Sequence, residues 1–272
     1  MKCTSCGNEI KEGSVICNTC GNHVGNRSNF RGIEPIGTPY AAGAAIPQVV
    51  DQATAIDRAE FIRKTYTHMA MSILAFIFIE YLLLNWSGAL DLVRMMVGGK
   101  NWLIVLIAFM GVSYMADKWA RSSTSKQTQY LGLGLYIIAE AIIFLPILFI
   151  AKFEIGESVI GSAGFVTLGL FAGLTYIVFS SRKDFSFMGS ILGIGSFVAL
   201  GVIVASMLFG FNLGLLFSAI MVAFASGAIL YSTSNIIHHY RTDQYVAAAL
   251  SLFSSIMLLF WYILRIFMGS RD

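Results

Sequence analysis

Residues Gln129–Ala151 read QYLGLGLYIIAEAIIFLPILFIA, an apolar run with one charge, Glu140. As a helix, about 20 such residues span the roughly 30 Å hydrocarbon core of a bilayer. Six more runs of this kind lie on either side: Tyr66–Trp86, Trp102–Trp119, Ser162–Ser181, Phe187–Gly210, Leu213–Ile237 and Val246–Met268. Charges bound most of them, while Gly210-Phe211-Asn212 alone separates the fifth run from the sixth. The spacing predicts an all-α integral membrane protein built as a seven-transmembrane-helix bundle. Composition excludes a soluble globular chain: 12% of residues are charged and 57% apolar, against about a quarter charged in soluble domains.

The charges are unevenly placed. Met1–Lys64 carries 13, leaving 20 for the remaining 208 residues. A net charge of +3 with no Lys/Arg stripe excludes nucleic acid as a partner. The lipid bilayer is the expected surroundings. The first 20 residues hold no apolar stretch that could act as a signal-peptide core, so the N-terminus is expected on the side of synthesis. Counting Lys and Arg on alternate sides gives nine with the N-terminal segment and five opposite. The positive-inside rule then puts the N-terminus in the cytoplasm and, after seven spans, the C-terminus outside the cytoplasmic membrane.

All four cysteines fall in the polar head, as Cys3-Thr-Ser-Cys6-Gly7 and Cys17-Asn-Thr-Cys20-Gly21. Each Cys-x-x-Cys turn can aim two thiolates at one point, and the following Gly can curl backbone amides toward the sulfurs. Two such knuckles make a closed four-sulfur site suited to structural zinc, with no position left for a catalytic water. Val15 and Ile16 are the only apolar pair between the knuckles, so metal must supply the folding free energy. The reducing cytoplasm preserves such thiolates and agrees with the charge count. Residues 1–24 are expected to form a zinc ribbon, 25–57 a flexible linker containing Pro35, Pro39 and Pro47, and 58–272 the bundle.

An ionisable side chain deep in the bilayer is a functional candidate because insertion costs roughly 2.5–3.5 kcal/mol. Glu140 is the one at mid-span, and Pro146 six residues later frees the carbonyl of Ile142, so a broken turn lining a polar cavity is expected there. Glu80 and Arg265 lie nearer the outer ends of their spans, where snorkelling accounts for them. Ser232, Thr233, Ser234 and Asn235, then Ser254 and Ser255, supply the hydroxyls and amide of the last two spans. His238 and His239 are expected at the cytoplasmic surface. Gly169-x-x-x-Gly173 and Gly189-x-x-x-Gly193 are expected to let helices approach closely. There is no nucleophile elbow, His-Glu-x-x-His or phosphate-cradling loop, so no enzyme activity is expected.

Several segments in order resemble one family. Phe61-Ile-Arg-Lys-Thr-Tyr66 looks like the entry to the first span of the Bax inhibitor-1 family, particularly its bacterial YccA-like branch. Ser181-Arg-Lys-Asp184-Phe-Ser is similar to its loop after the fourth span, and Tyr231–Tyr240, Asp243–Leu250 and Ile263-Leu-Arg265-Ile to its last two helices. The resemblance covers residues 58–268 and implies a bundle with the final helix at its centre. It also implies either a pH-sensitive cation leak, assigned in the family to two intramembrane aspartates, or modulation of membrane-anchored proteases and cell death. This chain departs at both aspartate positions, which hold Ser232 and Ser255. Two serines provide neither a coupled titration nor charged oxygen ligands for calcium. The expectation is therefore a regulator or scaffold of other membrane proteins, such as a membrane protease, with the ribbon docking a membrane or cytoplasmic partner. The alternative is a cation or proton leak using Glu140, Ser232 and Ser255.

Overall fold

The structure, a computed structural model, describes residues 48–122, 125–181 and 183–269. The chain divides after Ile46 into two units, and the described residues all belong to the second. The expected zinc ligands Cys3, Cys6, Cys17 and Cys20 lie outside the described residues.

Eight helices follow one another: α1 (Ala55–Leu84), α2 (Ala89–Val97), α3 (Asn101–Ala120), α4 (Lys126–Ile150), α5 (Ser158–Ser181), α6 (Met188–Phe209), α7 (Gly214–His238) and α8 (Tyr245–Gly269). Seven are long and apolar enough to cross a membrane; α2 is not among them. Helix is the form such segments must take, because backbone N–H and C=O groups find no partner in hydrocarbon except within the segment. Polar caps set the starts of α1 and α4. Thr54 accepts the Asp57 N–H at 3.2 Å at the head of α1, and Ser125 accepts the Thr128 N–H at 3.1 Å at the head of α4.

Helix α8 is the hub, packing against α1, α3, α4, α5 and α7. Its wall is apolar: Leu252, Phe253, Leu259 and Leu264 are fully buried. Phe76 of α1, Phe144 of α4 and Phe253 meet edge to face, with centroids 5.3 Å apart for Phe76–Phe144 and 6.4 Å for Phe76–Phe253. At Gly132 of α4 the backbones of α3 and α4 nearly touch, since a Cβ there would come within 2.5 Å of the Ala116 carbonyl oxygen. Helix α6 is peripheral, has no buried residue and leans on α7.

Several expectations are corrected. From Gln48, within the stretch expected as linker, the chain is tied to the bundle. The Val50 N–H donates to the Tyr240 carbonyl at 2.9 Å, the Thr242 N–H donates to that of Gln48 at 3.0 Å, and α1 has already begun at Ala55. The amphipathic helix α2, with Ala89, Val93 and Met96 on its buried face, stood unread between the first two spans. Helix α4 is not broken at Pro146 but continues to Ile150 before widening into a π-turn at Ala151–Ile155. The neighbours Leu145, Ile147 and Leu148 are buried, so packing holds the turn that Pro146 deprives of one hydrogen bond. Of the two small-residue pairs, Gly189 serves an approach: a Cβ there would come within 2.9 Å of Tyr231. A Cβ at Gly169, Gly173 or Gly193 would meet nothing within 4 Å, so those three glycines face away from the bundle.

Candidate functional site

Consecutive residues on a helix point about 100° apart, so Ser254 and Ser255 serve different neighbours. Ser255 turns to α7, where its Oγ lies 3.1 Å from that of Ser232, and the Ser251 hydroxyl donates to Ser232 Oγ at 3.1 Å. Ser255 also donates to the Ser251 carbonyl at 2.9 Å. The result is an uncharged knot of three alcohols that satisfy one another, Ser232 and Ser255 buried and Ser251 half-buried. The two residues standing at the family's aspartate positions are thus brought into contact.

Ser254 turns to α4 and accepts the Tyr136 hydroxyl at 2.9 Å. One turn further along, Glu140, 5% exposed, lines a cavity of about 490 Å³ together with Tyr136 and Ser254. Trp102, Trp261 and Arg265 line the same cavity. The Tyr136 hydroxyl interacts with the Glu140 carboxyl as well. The sequence grouped Glu140 with Ser232 and Ser255; the structure places Glu140 on the α4 side of α8 and the serine pair on the α7 side. Ser232 and Ser255 do not line the Glu140 cavity.

Glu80 departs from its expected place. Instead of snorkelling it is 4% exposed, and neither carboxyl oxygen has a hydrogen-bond partner among the described residues. A buried polar group without a partner costs about 1–3 kcal/mol, so Glu80→Met is expected to stabilise the bundle by about that amount. Thermal unfolding in detergent checks this, and a lower midpoint for the variant would mean that Glu80 holds a stabilising contact.

At the end of the bundle where α7 closes and α8 begins, the structure joins two segments that carry the family resemblance. The Ser186 N–H donates to Asp184 Oδ1 at 2.8 Å, the Ser234 hydroxyl donates to the same oxygen at 3.2 Å, and Ser234 Oγ accepts the Phe185 N–H at 2.8 Å. The Ser186 N–H holds the Asp184 carboxyl below the usual carboxylate range. A carboxylate depressed in this way stabilises the fold at neutral pH and loses that contribution as pH falls through its folded pKa. His239 Nε2 stands 3.5 Å from Asp184 Oδ2, and His238 Nδ1 3.9 Å from Asp51 Oδ1, so each of the paired histidines meets an acid from another segment. A second cluster, which no spacing in the sequence signals, links His68 Nε2 to Tyr130 Oη at 3.1 Å and Tyr130 Oη to Tyr245 Oη at 3.1 Å. Lys126 Nζ lies 4.5 Å above the Tyr245 ring.

Comparison with known proteins agrees with this geometry. A protein of Pseudomonas aeruginosa with no characterised role is 37% identical over 194 residues, covering 68% of this chain and 83% of that protein. The Escherichia coli modulator of FtsH protease YccA is 31% identical over 183 residues, 65% of this chain and 80% of YccA. Protein LIFEGUARD 4 of Arabidopsis thaliana is 27% identical over 218 residues, 78% of this chain and 85% of that protein. Residues 58–272, which take in the seven spans but for the first three residues of α1, match the family described as inhibitor of apoptosis-promoting Bax1, and this multi-pass membrane protein belongs to that Bax inhibitor-1 family.

Proposed function

We propose that this protein regulates or scaffolds other integral membrane proteins, a membrane-anchored protease among them, and that its cysteine-rich head is a cytoplasmic zinc-ribbon docking module. The observation that carries the reading is the knot of Ser232, Ser251 and Ser255, an uncharged and self-satisfied centre. Such a centre has no carboxylate to bind a cation or to switch with pH. The relative named for modulating FtsH protease supports the choice of partner class. Glu140, on its separate cavity, is the observation that favours the second reading, a proton or cation leak.

Reconstituting a membrane-anchored protease of the FtsH type with the full chain tests the first reading. The expected result is a several-fold change in the rate at which the protease degrades a membrane substrate, together with co-purification of the two proteins. Deleting residues 1–46 should abolish both while the bundle keeps its unfolding midpoint. Unchanged degradation and co-purification after the deletion would count against a docking role for the head.

A further inference from the structure

The cavity beside α8 is lined by one acid and one base that form no ion pair among the described residues. Glu140 and Arg265 both line it, yet neither forms an ion pair with the other or with any other described residue. The Tyr136 hydroxyl reaches both Ser254 and the Glu140 carboxyl, whose two oxygens have acceptor sites for further donors. Arg265 has five N–H donors and needs an anion or acceptors.

The registers of the two helices set the levels of these two residues along the cavity. Helices α4 and α8 run in the same direction and are pinned together by the Tyr136–Ser254 hydrogen bond at 2.9 Å. Glu140 lies four residues past Tyr136 and Arg265 eleven past Ser254, which places their levels about 10 Å apart at 1.5 Å per residue. Between those levels the wall is apolar, with the Trp102 and Trp261 rings stacked at a centroid distance of 6.4 Å. This arrangement suits an ammonium and a carboxylate separated by an extended run of methylenes.

We propose that this cavity is a binding site for a zwitterion of the ω-amino-acid type. Its ammonium sits on Glu140 and Tyr136, its carboxylate on the Arg265 guanidinium, and its methylenes against Trp102 and Trp261. The site goes beyond the regulatory role proposed above and stands whether or not the head docks a protease.

The test uses the full chain in phosphatidylcholine nanodiscs, with binding to protein-free nanodiscs subtracted. Three probes of one length are compared: ω-aminooctanoate, octylamine and octanoate. The native chain is expected to bind ω-aminooctanoate about tenfold or more tightly than either single-charge probe. Glu140→Gln should reduce ω-aminooctanoate to the level of octanoate, and Arg265→Gln to the level of octylamine, whereas Arg265→Lys should retain most of the preference. Equal binding of the three probes by the native chain would overturn the proposal without recourse to any variant. So would variants that weaken all three probes alike, because that pattern reports a damaged cavity wall and no charge-specific site.

Discussion

Ser232→Asp and Ser255→Asp made together are expected to create a proton-sensitive calcium leak in liposomes, while the native chain should leak no faster than protein-free vesicles at pH 6 or pH 8. The two hydroxyl oxygens stand 3.1 Å apart between α7 and α8. Carboxyl groups grafted there would sit too close to ionise independently and would share a proton. Acid would keep the pair neutral; base would leave a charged oxygen pair able to bind calcium. The double variant should therefore leak faster at pH 8 than at pH 6, by about tenfold if one coupled ionisation governs entry. Ser255→Asp alone is expected to leak little and to lower the unfolding midpoint, since an isolated buried carboxyl without a full set of partners costs about 1–3 kcal/mol. Strong pH-gated flux in the native chain that persists in Glu140→Gln would overturn the argument, because neither the alcohol knot nor the lone acid could then account for it.

The second large effect concerns the head. Purified full-length chain is expected to carry one zinc per molecule, and Cys17→Ser with Cys20→Ser should lose it. Structural zinc contributes about 10–16 kcal/mol to the folding of a small site at pH 7, and a segment of about 24 residues has no core to replace that. Residues 1–24 should accordingly become sensitive to protease in the variant or after chelation. The bundle should keep its unfolding midpoint, because its apolar core is built from its own residues, from Val50 to Leu264. Zinc absent from carefully purified protein, with the four thiols found as two disulfides, would defeat both the ribbon and the cytoplasmic placement of the head.

The length and spacing of apolar runs made the seven spans legible, with boundaries within about four residues of the helices except at the start of α1, which begins eleven residues before Tyr66. Hydrocarbon leaves the backbone only one economical form, so composition and length suffice. The short helix α2 escaped because nine amphipathic residues are too few to span and too weakly marked to separate from a loop. The contact between Ser232 and Ser255 was reachable only through the family resemblance, since nothing in two serines 23 residues apart says that they meet.

Sequence alone determined that the chain is a seven-span membrane protein with its cysteines in a separate head and a single acid at mid-span, because these properties follow from solvent and spacing. Which face of α8 each polar residue occupies was decided by tertiary structure. The 100° step between Ser254 and Ser255 sends one hydroxyl to Tyr136 and the other to Ser232. The same packing turns Glu80 inward and sets Glu140 and Arg265 along one cavity. A hydropathy pattern is blind to these outcomes, for it records how apolar a turn of helix is and says nothing of which neighbour lies across from it.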